Sequence, residues 1–456
     1  IDGAAAKGLH HVINVLLAHD MPIHLARHVH AAGAVAVHLA RGGHAGLAHR
    51  SHVPELRRDL AICIVHGVHN TLPTGQRGST VNVRSIGVGV GRNVVYAGAL
   101  GDDQASAAFG APATKAAQLV FDEVNEAGGI HGRKIRYIVE DHAYQVPKAT
   151  QAVNKLVTRD EVFAMLMSLG TPHNLAAFPV MDSNNVPSIL PLALSRPMET
   201  EGDFSHRFVF GPSYYEGVLK GASWMADEYD MEKACVMYIP SDFGEEVNQA
   251  MKDAAEENDA LELVESSSHR PDESDFSGTL ARLRDAGCEL VGVALPIRPI
   301  ITVVATAKQM GWNDVKFLVS QAGFHSAVAA APGGVTEGLY GVSPWQDIVS
   351  RMKDVPEAKE WADQYKEKYG SVPSGGAVLG RVGAEVTIEA LRKAGPDLTT
   401  ESFLAAMESL DFSDPVTGVD IKMSADNHRA GNDIILSKVI DGIWEPVTTL
   451  EDSVSE

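Results

Sequence analysis

The chain is 456 residues long, enough for two or three domains. Its formal net charge of −21 speaks against nucleic acid or an anionic membrane surface as a partner. Hydrophobic residues make up 45% and charged residues 21%, the balance of an ordinary globular protein. No uninterrupted apolar run reaches the roughly 20 residues needed to span a bilayer.

Residues 1–85 differ from the rest. Twelve of the 19 histidines fall between His10 and His69, with four acidic against eight basic residues. The spacings His24-x3-His28-x-His30 and His44-x4-His49-x2-His52 suggest metal ligands. Such sites also need a rigid frame and usually carboxylate or thiolate partners, and neither is visible here. The expectation is an atypical His/Ala-rich segment, residues 1–90, outside the main fold. It lacks the basic stretch and clean apolar core of a secretion signal. Gly87-x-Gly89-x-Gly91 has no strand before it, which argues against a dinucleotide loop. The three cysteines are Cys63, Cys235 and Cys288. The last two fall in predicted strands and are expected as buried thiols rather than a bridge.

From Asn93 onward the pattern is regular. A strand over 93–98 precedes a Gly/Ala/Ser/Asp-rich loop, 98–110. The apolar face Ala116, Val120, Phe121 and Val124 predicts a helix over 111–126, capped by Gly128-Gly129. A strand over 134–140, a helix from 147 to 156 and an unalternating apolar strand at Val162–Met167 follow. Thr171 suits an N-cap and Pro172 the first helical position, which predicts a helix over 172–182. The next strand is Val186–Leu190. Ligands in open parallel sheets sit beyond the carboxyl ends of strands, and a helix N-terminus favours an anion. The stretch from Phe163 to Pro197 therefore offers two strand ends and one helix mouth for a small carboxylate. His173, near that mouth, is expected on solvated helix surface.

The polar residues 198–206 are expected to cross between domains. Ser213-x-x-Glu216 forms a capping box opening a helix over 214–229. Strands are expected at 233–239, 261–265, 289–295, 315–319 and 338–343, alternating with helices at 245–257, 275–286 and 300–310. Pro344-Trp345-Gln346-Asp347 marks another crossing. Helices follow at 356–369, 377–394 and 400–410, then a hairpin at 434–447 turning at Asp441-Gly442. Alternating βα units imply a parallel, doubly wound α/β architecture. Two such series joined by several crossings imply a hinged pair with a cleft. There is no Gly-x-Ser-x-Gly elbow, His-Glu-x-x-His or P-loop, so no enzyme signature stands out and no cofactor is expected.

Five stretches together resemble the type I periplasmic binding proteins, the branched-chain amino-acid group of ABC-transporter solute receptors. They are GALGDDQASAAFG (98–110), FDEVNEAGGIHGRKIRYIVEDHAY (121–144), SLGTPHNLAAFPVMDSNNVPSILPLALSRP (168–197), YIPSDFGEEVNQAM (238–251) and LARLRDAGCELVGVALP (280–296). The resemblance covers residues 92–450. It implies two Rossmann-like lobes with parallel sheets, a three-crossing hinge and a ligand closed in the cleft. The implied lobes are 91–204 with 345–430, and 205–344 with 431–450.

It further implies a monomeric receptor, periplasmic or extracellular, that delivers a small carboxylate such as a hydrophobic amino acid to a membrane permease. A ligand-sensing domain of the same fold is the alternative. By position, Gly170 and Thr171 match the place where the family binds the ligand carboxylate through a hydroxyl and backbone N–H groups. Ala193 and Ser195 match the next ligand loop, and Phe243 an aromatic from the second lobe, where Tyr is commoner. Tyr214 is another candidate cleft aromatic, the alternative being packing within its lobe. Leu192, Leu194 and Ile297 suggest an apolar tail. Two positions depart from the family. Gln321 stands where amino-acid receptors often place an acid for the ligand ammonium, and a neutral amide cannot neutralise a buried cation. Arg381 stands where Tyr is usual and, facing the cleft, would bind a carboxylate bidentately.

Overall fold

The computed structural model describes residues 92–96 and 105–450. The histidine-rich segment with its metal-like spacings, Cys63, the glycine pattern at 87–91 and residues 98–104 of the predicted loop lie outside these residues.

The first half builds one sheet. Its elements are β1 (Arg92–Tyr96), α1 (Ala105–Glu126), β2 (Arg136–Glu140), α2 (Val146–Asn154), β3 (Ala164–Leu166), α3 (Thr171–Ser183), β4 (Ser188–Ile189), α4 (Pro197–Thr200) and β5 (Arg207–Phe208). The five strands are parallel in the order β2-β1-β3-β4-β5. The predicted loop at 98–110 is already helical from Ala105, because its alanines favour helix. β5 also corrects the expectation that the chain leaves this lobe at 204. Arg207 is fully buried within a strand. Its guanidinium lies 3.9 Å from the Phe178 ring and pairs with Asp182 at 2.6 Å, so the charge is compensated.

The second half continues with α5 (Tyr214–Glu228), β6 (Lys233–Tyr238), α6 (Asp242–Glu257), β7 (Glu262–Ser268), α7 (Ser277–Asp285), β8 (Leu290–Ala294), α8 (Ile297–Gln309), β9 (Lys316–Val319), α9 (Ser326–Ala329) and β10 (Tyr340–Ser343). Then come α10 (Ile348–Arg351), α11 (Pro356–Tyr369), α12 (Gly375–Ala394), α13 (Thr400–Met407), β11 (Asp411–Asp414), β12 (Val419–Lys422), β13 (Ile434–Ile440) and β14 (Ile443–Leu450). The second sheet runs β14-β13-β10-β9-β8-β6-β7. Strands β6 to β10 pair in parallel, whereas the closing hairpin joins antiparallel through β10–β13. Asp441 and Gly442 turn that hairpin, both at positive φ. The small ribbon β11–β12 has no counterpart among the expected elements.

Helix α12 returns to the first lobe and packs along α1. Gly380 rests on the backbone of Ala113, where any Cβ would collide with the Ala113 carbonyl. Three crossings join the lobes. Val209 donates to the His428 carbonyl at 3.0 Å, and Gly431 donates to the Phe210 carbonyl at 3.0 Å. A Cβ on Gly211 would meet Pro344 of the middle crossing and the Gly431 carbonyl of the third. Arg429 clamps this bundle. It binds Glu199 of α4 through two hydrogen bonds of 2.7 and 2.9 Å, and Glu216 of α5 at 3.0 Å. Glu216 also closes the predicted capping box with Ser213.

Cys235 and Cys288 form a disulfide, contrary to the expectation of free thiols, with their Cα atoms 5.8 Å apart. Cys235 lies in β6 and Cys288 precedes β8. Those two strands are neighbours in the sheet although β7 separates them in sequence, so the pairing follows from topology. The bridge closes a 53-residue separation within the second lobe. Replacing both cysteines by alanine is expected to lower stability by about 2–4 kcal/mol. Calorimetric melting with and without reductant checks this. An unchanged melting temperature, with both thiols open to alkylation in the unreduced denatured chain, would contradict it.

Candidate functional site

A cavity of 620 Å³ opens between the two sheets, within the size range of small-molecule sites. Its lining follows the strand ends in turn. β3 leads into Leu169–Thr171, β4 into Pro191–Leu194, β6 into Ile239, β8 into Leu295–Pro299 and β9 into Gln321–Ala322. This is the cleft position expected for open parallel sheets.

The helix mouth differs from the sequence expectation in one detail. Gly170, not Thr171, is the N-cap of α3, with φ at +92°. A Cβ there would collide with His173 Nδ1 and lie 3.0 Å from Tyr144 Cε2, so both conformation and space demand glycine. Thr171 thereby becomes the first helical residue. Gly170 supplies no side-chain cap, which leaves first-turn N–H groups for an incoming anion. Thr171 is 2% exposed and its hydroxyl has no hydrogen-bond partner. A buried polar group without a partner is costly unless something else supplies the bond.

His173 is buried, not solvated. Its ring stacks on His142 at 4.5 Å and packs against Tyr144 at 4.4 Å, because the loop after β2 folds over the start of α3. Burial, with the neighbouring His173, lowers the His142 imidazole to about 4, and burial also lowers that of His173. Both rings are neutral near pH 7, so the stack adds no cation beside the helix mouth.

Ala193 lines the cavity. Ser195 is buried with an unpartnered hydroxyl and is not among the lining residues. Tyr214 and Phe243 both line the cavity and pack edge to face at 4.9 Å. The Tyr214 N–H donates to the Leu194 carbonyl at 2.7 Å, tying the start of α5 to the first-lobe loop. Leu192, Leu194 and Ile297 line the cavity as expected. Gln321 is 2% exposed. Its Nε2 donates to the carbonyls of Pro212 and Ser213, both at 3.0 Å, which fixes the amide orientation. Its Oε1 is buried without a hydrogen-bond partner.

Arg381 does not join the site. Leu379 lines the cavity, and two residues further along a helix turns about 200° away. Arg381 instead pairs with Asp414 at 2.5 Å and Glu385 at 3.6 Å, fastening α12 to β11. The sequence reading also missed Phe109, Tyr144, Phe210 and Trp345, all in the lining. Three of them lie in stretches already singled out: the opening loop, the 121–144 signature and the Pro344–Asp347 crossing. The acids in the lining are Asp272 and Glu273, in the loop after β7. Asp272 is exposed beside Arg270, and Glu273 accepts from His269 at 2.9 Å. Arg298 is exposed at the mouth. The interior is therefore apolar and aromatic, with unpartnered polar atoms at Thr171 and Gln321. No cluster of metal-binding side chains occurs among the described residues.

The periplasmic binding protein profile matches residues 94–442. The Leu/Ile/Val-binding protein homolog 8 of Brucella abortus (strain 2308) is 24% identical over 339 residues, 71% of this chain and 82% of the relative. Among solved structures, a branched-chain amino-acid ABC transporter protein from Thermus thermophilus with bound valine superposes with a TM-score of 0.72. It is 21% identical and covers 80% of this chain and 97% of its own. A fatty acid ABC transporter substrate-binding protein from Thermomonospora curvata gives 0.70 at 24% identity, covering 80% and 94%. With its profile matching more than half of the sequence, this chain belongs to the periplasmic binding protein family.

Proposed function

We propose that this chain is the solute receptor of an ABC importer and that its solute is a hydrophobic carboxylate, aliphatic or aromatic, without an α-ammonium group. The carrying observation is the asymmetry of the cavity. An anion is welcome at the Thr171 mouth, whereas the buried polar groups that the opposite lobe brings to the lining are the neutral Gln321 amide and the Tyr214 hydroxyl, and its Asp272, Glu273, Ser274, Arg298 and Thr302 are exposed or half-buried. A buried ammonium without a carboxylate partner is heavily disfavoured. The two acids of the lining are engaged at the cleft edge. The cavity of 620 Å³ lies within the size range of sites for drug-sized ligands. The Thermomonospora relative serves a fatty acid transporter, and a fatty acid is a carboxylate of this kind.

Closure of the lobes would bury the solute, and a membrane permease would receive it. An extracytoplasmic location fits both the family and the disulfide in the second lobe. Among the described residues no helix is long and apolar enough to cross a membrane.

A thermal-shift screen compares benzoate, 3-phenylpropanoate and octanoate with valine, leucine and phenylalanine. A ligand at ~100 times its Kd stabilises by about 2.7 kcal/mol. Stabilisation by the simple acids is expected, and stabilisation by the amino acids alone contradicts the reading. Thr171→Val is expected to weaken binding of the best acid by about ten- to hundredfold, the value of a hydrogen bond to a charged group. Its ligand-free stability should be equal or higher, since a buried unpartnered hydroxyl disappears. Calorimetric titration and melting of the same variant read both effects, and unchanged affinity removes Thr171 from the site.

A further inference from the structure

One contact crosses the cleft beside the cavity without belonging to it. Glu246 of α6 is 7% exposed and receives the backbone N–H of Arg196 at 2.8 Å. Its carboxylate also lies 3.5 Å from Arg196 Nε. The Arg196 guanidinium stacks on the Tyr215 ring at 3.9 Å, and the Tyr215 hydroxyl donates to Asp253 of α6 at 2.6 Å. Arg196 follows the first-lobe loop that carries Ala193 and Ser195. Glu246 lies one helical turn beyond Phe243, and Tyr215 next to Tyr214. The contact thus ties the loop of one lobe to both second-lobe helices that supply cavity aromatics.

We propose that Glu246, Arg196 and Tyr215 form an interlobe clasp that positions the Ala193–Ser195 loop against the second lobe and makes ligand capture depend on pH. The inference rests on the reading of the cleft as a site that closes on its solute. Burial pushes the Glu246 carboxyl up to about 7, and the Arg196 N–H and guanidinium oppose this only in part. With the lobes apart the carboxyl would meet water and titrate in the ordinary range near 4.5. Closure therefore takes up a proton. A carboxyl raised in the closed state favours that state fully below its ordinary range, and the advantage is lost as pH rises through about 7.

The other groups around Glu246 do not replace it in this role. On α5, Glu216 is held by Arg429, and burial raises the Tyr214 and Tyr215 hydroxyls. On the first-lobe side, Glu199 is also held by Arg429, Asp182 pairs with Arg207, and burial lowers His173. On its own helix, Asp242 and Glu245 lie in the first turn toward solvent.

The test uses small-angle scattering without ligand and calorimetry with benzoate as the probe, each at about pH 5.5 and about pH 8.5, where benzoate stays ionised. The wild type should be more compact at the lower pH and bind benzoate roughly ten- to thirtyfold more tightly there. Glu246→Gln, which mimics the protonated acid, should be compact and tight at both values. Glu246→Ala, which removes the acceptor, should be more open and weaker at both. An identical pH response of wild type and Glu246→Gln in both measurements overturns the clasp. Failure of benzoate to bind speaks against the ligand class alone, and scattering then decides the clasp by itself.

Discussion

The Arg429 guanidinium is the contact on which the two-lobed form depends. It grips Glu199 of the first lobe and Glu216 of the second at the place where the three crossings lie side by side. Glu216 is at once an Arg429 partner and the capping residue of α5, so one carboxylate fixes both the hinge and the start of a helix that lines the cavity. Removing any one member would strand half-buried charges, which costs more than the pair itself contributes. The close approach of Gly211 to Pro344 and Gly431 adds a steric constraint to this electrostatic one.

From that hinge the cleft follows. Ser213, the cap of α5, offers its carbonyl to Gln321 Nε2, so the hinge also orients this amide, whose oxygen is buried without a partner. On the other lobe Gly170 adopts a backbone conformation open to few other residues and turns Thr171 into the first residue of α3. Hinge and helix mouth hold two unpartnered polar atoms, and the strand ends fill most of the remaining wall with apolar and aromatic side chains, with Asp272, Glu273 and Arg298 toward solvent. Selectivity in such a site comes from what is left unpaired, because a solute that fails to satisfy Thr171 or brings a charge without a partner is penalised.

Much of this was legible in the sequence because the signals were local. The helix at 356–369 matches α11, the Ser213–Glu216 box forms as read, and Asp441-Gly442 turns the last hairpin. The loops that line the cavity were legible because they follow strands whose apolar runs are unmistakable. What escaped depends on distant partners. Thr171 reads as a cap until the packing of His173 and Tyr144 shows why Gly170 must hold that position. His173 reads as surface until the loop after β2 covers it. Arg381 is only two residues from Leu379, and its partner Asp414 lies on a ribbon that the polar sequence around it disguises. Cys235 and Cys288 meet because β6 and β8 are neighbours across an omitted strand, which no spacing rule reveals.

The central claim is that the carboxylate end of the solute sits at the mouth of α3. The most direct measurement is a crystal structure with the tightest-binding carboxylate from the ligand screen. The predicted result places the carboxylate oxygens within hydrogen-bond distance of Thr171 Oγ1, with the apolar remainder among Tyr214, Phe243 and Trp345. A carboxylate lying at Arg298 or beside Gln321, with Thr171 still unpartnered, would contradict it.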